Sequence, residues 1–332
     1  MSGKPTVVTG IKPTGHPHIA NYIAAIKPAL ELAQQPNQQA FYFIANYHAL
    51  NSVQDAEVFR NYTNEVAATW LALGLDPEKV IFYRQTDVPE ILELHWILSC
   101  FTPKGLMNRA HAYKAIVDKN KEEGLDVDTG VNMGLYTYPI LMTADIILFQ
   151  ANVVPVGKDQ IQHVEIARDI AENFNRTYGQ TFTLPEYFVK EETAVVPGLD
   201  GRKMSKSYGN TIPLFAGSKE LRKLIMKIKT DSTPPEAPKD PETSTLFTLY
   251  REFASPQQIE EMRRKYQTGI GWGQVKQELF EVMDEALREP REKYHAYLEQ
   301  PEELDRILEE GAKRAREKAQ ETLRIVKQRI GC

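Results

Sequence analysis

Apolar and polar positions follow two rhythms along this chain. Short β-branched or aromatic runs at Thr6-Val7-Val8-Thr9-Gly10, Phe41-Tyr42-Phe43-Ile44-Ala45, Val80-Ile81-Phe82-Tyr83 and Val153-Val154-Pro155-Val156-Gly157 read as buried strands. Between them, apolar residues recur at helical spacing. Ile19, Tyr22, Ile26 and Ala29 do so from His18 to about Ala33, and Val66, Trp70 and Leu73 do so within residues 55–74. Residues 89–100 read as a further helix, and Gly134 to Gln150 is mostly apolar. From Asp159 to about Arg176, Ile161, Val164, Ala167, Ala171 and Phe174 share one face. Such β/α alternation predicts an α/β fold with a doubly wound, Rossmann-like parallel sheet and helices on both faces.

The rhythm changes near residue 212. From Ser218 onward the chain reads as helical and highly charged, Asp231 to Pro241 holds four prolines and reads as an irregular connector, and 302–330 reads as one long helix. This predicts two units, 1–212 with the sheet and 213–332 all-helical. The length of 332 residues and 42% hydrophobic content suffice for both cores. A net charge of −5 excludes a general nucleic-acid binder. An RNA partner would have to meet local clusters such as Arg222, Lys223, Lys227 and Lys229, or Lys313, Arg314, Arg316 and Lys318, which read equally as solvated helix faces. No 18-residue apolar run predicts a transmembrane helix, and Met1-Ser2-Gly3-Lys4-Pro5 leads into a strand without the apolar stretch of a signal peptide. Cys100 and Cys332 form no CxxC pair, so the expectation is a reducing cytoplasm and no protein-bound metal.

Two stretches carry chemistry. Lys203-Met204-Ser205-Lys206-Ser207 follows the Gly- and Pro-punctuated Pro197-Gly198-Leu199-Asp200-Gly201-Arg202. Two ammonium groups on such a loop can neutralise charge developing on a leaving pyrophosphate, although two lysines three apart also suit a solvated basic loop. Near the N-terminus, the first strand ends at Gly10 and passes through Lys12-Pro13-Thr14-Gly15 to a helix whose first turn holds His18 and Asn21. Backbone N–H groups and the positive end of a helix favour phosphate there. His18 and Asn21 also suit a simple helix cap.

Together these stretches resemble the two signatures of the class I aminoacyl-tRNA synthetases, in the tryptophanyl/tyrosyl form with Asn for the second His. The remaining segments resemble the bacterial tryptophanyl branch, over nearly the whole chain. The resemblance implies a class I (HUP-type) catalytic unit, a C-terminal helical unit that reads the tRNA anticodon, and a homodimer. It implies ATP as substrate, with Mg²⁺ held mainly by its phosphates, and L-tryptophan and tRNA(Trp) as partners. For ATP, it points to Gly10, Lys12, Thr14, His18, Asn21, Gly157, Asp159, Lys203, Met204, Ser205 and Lys206. Lys114 matches a lysine that reaches the phosphates, and Lys203, Lys206, Lys114, Lys12 and Thr14 are the candidate catalytic groups. For the amino acid, it points to Val8, His48, Tyr138, Met142, Asp145 and Gln160, with Tyr138 and Gln160 holding the α-amino group.

Asp145 is the only charge between Asp128 and Lys158, with Met142 one helical turn away. A buried carboxylate with no basic neighbour needs a donor, and an indole N–H supplies one. Family members of tyrosyl type usually carry Gln where Met142 stands. The sequence departs from the family pattern at Lys12, Ala20, Asn46 and Lys158, and Ala20 adds a methyl where adenine is expected to approach. The alternatives are tyrosine specificity, a nucleotidylyltransferase without tRNA, and a non-catalytic synthetase-like RNA-binding protein.

Overall fold

The computed structural model describes residues 4–189 and 196–332; Met1–Gly3, read as leading into the first strand, lie outside the described residues. Five strands, β1 (Thr6–Ile11), β2 (Gln39–Ile44), β3 (Val80–Arg84), β4 (Val153–Pro155) and β5 (Glu186–Phe188), form a parallel sheet in the order β3-β2-β1-β4-β5. The chain winds outward from β1 through β2 to β3, then returns to lay β4 on the other side of β1. Strand order therefore reverses between β1 and β4, which opens a crevice at their carboxyl ends. β2 and β3 are almost wholly buried, which explains why they read as continuous apolar runs. β5 was not legible, because it is a three-residue edge strand with all its residues exposed.

The helices of the sheet unit are α1 (Ile19–Asn21), α2 (Lys27–Ala33), α3 (Asn46–Ala49), α4 (Ala56–Ala72), α5 (Glu90–Ser99), α6 (Lys104–Met107), α7 (His111–Glu122), α8 (Met133–Ile147) and α9 (Ile161–Tyr178). The single helix expected from His18 is interrupted by a π turn at Tyr22–Ile26. One core lies between the sheet and α5, α8 and α9, and a second lies on the opposite face against α2 and α4. The doubly wound α/β architecture is thus realised.

The helical unit contains α10 (Ser218–Met226), α11 (Thr245–Phe253), α12 (Pro256–Thr268) and α13 (Trp272–Glu299). They share a core of their own, which also takes in Ile19, Val196, Met204 and Ile212 from the sheet unit. The final helix α14 (Pro301–Ile330) leaves that core. Leu304 and Leu308 pack on one sheet face, and Ala312, Ala315, Ala319 and Val326 pack on the other core, so α14 covers the β3 edge. A long helix over an edge strand blocks pairing with another chain.

Gly311 is what allows this approach. A Cβ there would lie 1.8 Å from the Phe82 carbonyl oxygen and 2.7 Å from its carbon. The neighbour is backbone of β3, held by its ladder with β2, and cannot yield. Gly311→Ala is expected to destabilise the fold by about 1 kcal/mol or more, despite the higher helix propensity of Ala. An unchanged thermal midpoint in this variant would mean that α14 is not seated on β3.

Candidate active site

The crevice at the ends of β1 and β4 is a cavity of about 490 Å³. Val8, Gly10 and Lys12 line it from β1 and the turn that follows, and His48 lines it from α3. Tyr138, Met142 and Asp145 line it from α8, and Gly157 and Gln160 from the β4–α9 turn. Nine residues singled out from sequence thus converge from four separate segments. Gly10 must lack a side chain, because a Cβ there would sit 2.6 Å from the Phe43 ring.

Asp145 is 1% exposed and does have partners, contrary to the sequence expectation of a lone carboxylate. Gln85 Nε2 donates to Oδ1 at 2.8 Å and to Oδ2 at 2.9 Å, and His48 Nε2 lies 2.9 Å from Oδ2. Gln85 is itself fully buried and accepts the Tyr47 backbone N–H at 3.0 Å. It sits in a turn after β3, and no periodicity marked it. Oδ1 holds one donor, so a lone pair remains for a ligand N–H. Burial raises the Asp145 pKa, while the His48 contact pulls it down.

Tyr138 donates or accepts through its hydroxyl at His163 Nε2, and His163 Nδ1 lies 3.0 Å from Gln160 Oε1. Burial, then the nearby Asp159 charge, pushes the Tyr138 phenol up to about 12. Sequence reading missed His163. The available signal was its spacing, three residues after Gln160 and beside Val164 on the buried side of α9.

Of the residues expected to meet phosphate, Lys12 lines the cavity, whereas His18, Asn21 and Lys206 are not among its lining residues. Asn21 Oδ1 accepts the His18 N–H at 3.0 Å, so the capping role is realised, and the Asn21 NH₂ stays outside that bond. His18 Nδ1 is buried with no hydrogen-bond partner. Burial, and then the Lys206 charge, lowers the His18 pKa to about 4. Lys12 and Lys206 both reach solvent, yet the protein around each ammonium lowers its pKa. Lys206 Nζ donates to the Thr14 carbonyl at 3.4 Å. The first signature segment is also joined by backbone to residues just beyond the second, Ile19 N–H to Ile212 O at 2.9 Å and Leu214 N–H to Pro17 O at 3.0 Å.

Other expected site residues stand apart. Met204 is 3% exposed and lies in the helical core, so it anchors the loop rather than facing the cavity. Lys203 is exposed, and Ser205 Oγ caps the short turn Lys206–Tyr208 by accepting the Ser207 N–H. Asp159 is exposed beside the cavity, with Oδ2 accepting from Gln160 Nε2 at 2.9 Å. Lys114 is exposed on α7, where Ala112 rather than Lys114 lines the cavity. The Ala20 methyl packs against the helical core and does not line the cavity. Among the described residues no group of three His, Cys, Asp or Glu side chains is placed to hold a metal.

Asn210 is a further residue that sequence reading missed. Its Nδ2 donates to Asp200 Oδ1 at 2.7 Å and to the Lys203 carbonyl at 3.1 Å, while its Oδ1 accepts the Ser205 N–H at 2.8 Å. One buried amide thus sets the shape of the two-lysine loop. The Asn210 bond, followed by contacts from Arg202, lowers the Asp200 pKa to about 2. A depressed carboxylate favours the ordered loop above the ordinary value of about 3.9, and this contribution fades as pH falls toward 2. Asn210→Ala should move the Asp200 titration upward, read by carboxyl-carbon NMR, and speed amide hydrogen exchange at Ser205. A loop unchanged by both measures would remove Asn210 from its organising role.

A doubly wound sheet whose first βα turn is met by a lysine from a two-lysine loop has the build of a nucleotide-binding fold. The family model for tRNA synthetases class I (W and Y) matches residues 1–288, and the chain belongs to that family. Within it, the chain is 53% identical to the tryptophan–tRNA ligase of Pseudomonas putida, over 98% of this chain and 73% of that protein. It is 50% identical to the tryptophan–tRNA ligase of Neisseria meningitidis, over 99% of this chain and 98% of that one. Among solved structures, the tryptophanyl-tRNA synthetase of Campylobacter jejuni complexed with ADP and tryptophan superposes with a TM-score of 0.88. It shares 48% identity, with 98% of this chain and 100% of that one covered.

Proposed function

We propose that this chain ligates L-tryptophan to tRNA(Trp) in two steps, with ATP as the activating substrate. The tryptophan carboxylate attacks the ATP α-phosphorus in line, giving tryptophanyl-adenylate and diphosphate. A terminal ribose hydroxyl of the tRNA then takes the acyl group and releases AMP. The attacking carboxylate is already ionised, so catalysis is positioning and charge stabilisation.

The observation that carries the reading is Asp145, a buried carboxylate with a spare acceptor position at the wall of an apolar cavity. The indole N–H occupies that position, and Met142, Val8 and Phe43 surround the ring. Tyr138 and Gln160 hold the α-ammonium. Gly10, Lys12, Thr14, His18 and Asn21 receive ATP at the β1–α1 turn, with Gly157 and Asp159 near its ribose. Lys206, Lys203 and Lys114 gather on the leaving phosphates as the loop and α7 close. The lowered pKa of Lys12 and Lys206 reflects cations short of water, which an arriving phosphate would pair. Mg²⁺ travels with the ATP phosphates, and no step here depends on a protein ligand for it.

The helical unit from 213 is proposed to contact the anticodon arm of the tRNA. A homodimer is proposed through α5, where Trp96 is 70% exposed and Leu92 38% exposed. No helix among the described residues is long and apolar enough to cross a membrane, and the cytoplasm is the proposed location. ATP–diphosphate exchange with tryptophan and with tyrosine, with and without tRNA, tests the assignment. Exchange that depends on tryptophan is expected. Exchange with tyrosine alone, or none with either, would overturn it.

A further inference from the structure

Behind Tyr138 and Gln160, His163 is 3% exposed and touches both. The polarity of this chain of contacts is decided at its far end. A carboxylate only accepts, and Asp159 Oδ2 lies 2.9 Å from Gln160 Nε2. The Gln160 amide therefore keeps its nitrogen toward Asp159 and its oxygen toward the imidazole. An amide oxygen also only accepts, so His163 Nδ1 must carry the hydrogen. A neutral imidazole has one N–H, which leaves Nε2 as acceptor and makes the Tyr138 hydroxyl the donor. The titratable groups turned toward the ring are Tyr138 on α8, Asp159 before α9, His111 at the start of α7 and His48 on α3. Burial, with His111 next, lowers the imidazole pKa to about 4, so the neutral form holds at working pH.

Having spent its hydrogen on His163, the Tyr138 oxygen offers the cavity only lone pairs. Gln160 Oε1 keeps a lone pair beside it. We infer that His163 is a positioning residue for amino-acid recognition: as the Nδ1–H tautomer it locks Tyr138 and Gln160 as a pair of acceptors for the substrate α-ammonium. The inference rests on the proposed reading that these two side chains hold that ammonium. An ammonium only donates, so a Tyr138 hydroxyl free to turn its hydrogen into the cavity would set donor against donor.

The test compares equilibrium binding of L-tryptophan with that of indole-3-propionate, which has the ring and carboxylate but no ammonium, in the absence of ATP. His163→Phe keeps a ring in place and removes both nitrogens. Its tryptophan Kd is expected to rise about tenfold, a loss of about 1.4 kcal/mol, with indole-3-propionate binding changed less than twofold. Asp159→Asn is the second variant. Asp159 is exposed, and an amide there can meet either end of Gln160, so the lock is released without disturbing the core. A smaller loss of about threefold, again confined to tryptophan, is expected. Tyr138→Phe tests the underlying reading: if tryptophan binding survives it unchanged, the ammonium is held elsewhere and that reading falls. If Tyr138→Phe is selective for tryptophan while His163→Phe weakens both ligands alike, or neither, the tautomer lock is overturned. Should His163→Phe fail to fold, Asp159→Asn decides alone, and no selective loss there overturns the lock.

Discussion

Lys206→Ala is expected to slow single-turnover adenylate formation about a hundredfold while leaving equilibrium tryptophan binding nearly unchanged. Removal of one preorganised group aimed at developing charge typically costs 10²–10³ in rate. The Lys206 ammonium sits at the Thr14 carbonyl, on the turn proposed to receive phosphate, and its pKa is lowered by the protein around it. A single carbonyl is a poor partner for a cation. When a triphosphate occupies the turn, the ammonium is expected to exchange that carbonyl for phosphate oxygens, and to do so best as diphosphate departs. Interactions gained in the transition state alone lower the rate constant and spare ground-state binding when they are lost. The backbone bridges from Pro17 and Ile19 to Leu214 and Ile212 would keep the loop near the turn in the variant, so the loss isolates the charge. A rate loss below tenfold would make Lys206 a surface cation.

Asp145→Asn should lower kcat/KM for tryptophan by about a hundredfold, or about 2.7 kcal/mol. Gln85 Nε2 contacts both carboxylate oxygens, so either orientation of an Asn amide brings its NH₂ against a donor. The variant thus loses a hydrogen bond to a charged group, worth about 1.5–3 kcal/mol, and leaves a buried donor short of an acceptor. ATP affinity should be unaffected, because the hydrogen-bond partners of Asp145 are His48 and Gln85, neither of them a proposed ATP residue. Tryptophan kinetics within threefold of the parent protein would exclude Asp145 from the pocket. The variant also separates substrate from shape: indole contacts with Met142 and Val8 survive, so residual binding should resemble that of an analogue lacking the ring N–H.

The sheet, and the convergence of the candidate-site segments on one cavity, were legible in the sequence for a simple reason. β-branched and aromatic runs at β1, β2 and β3 and the apolar stripe of α9 are local patterns, and burial in a parallel sheet imposes them directly. The two signature stretches were legible because each is a short run of particular residue types in a fixed order. β5 left no trace, since an exposed three-residue edge has no burial pattern to read. The return of α14 to the sheet was equally hidden. Its helical spacing was plain, but which surface its small residues meet depends on the Phe82 carbonyl fitting over Gly311, a contact across more than two hundred residues.

The chemistry divides in the same way. The chain by itself determined that Asp145 is isolated among apolar neighbours and that two lysines stand on a loop, while Tyr138, His48 and Gln160 came from the family resemblance. Only the tertiary structure decided what these groups are bonded to. Gln85 reaches Asp145 across 60 positions, and Asn210 gathers a loop whose polar atoms are indistinguishable in sequence from solvated ones. His163 acquires its tautomer from an amide that is itself oriented by Asp159. Hydrogen-bond polarity is a property of pairs, and pairs that are distant along the chain exist only once packing has brought them within about 3 Å.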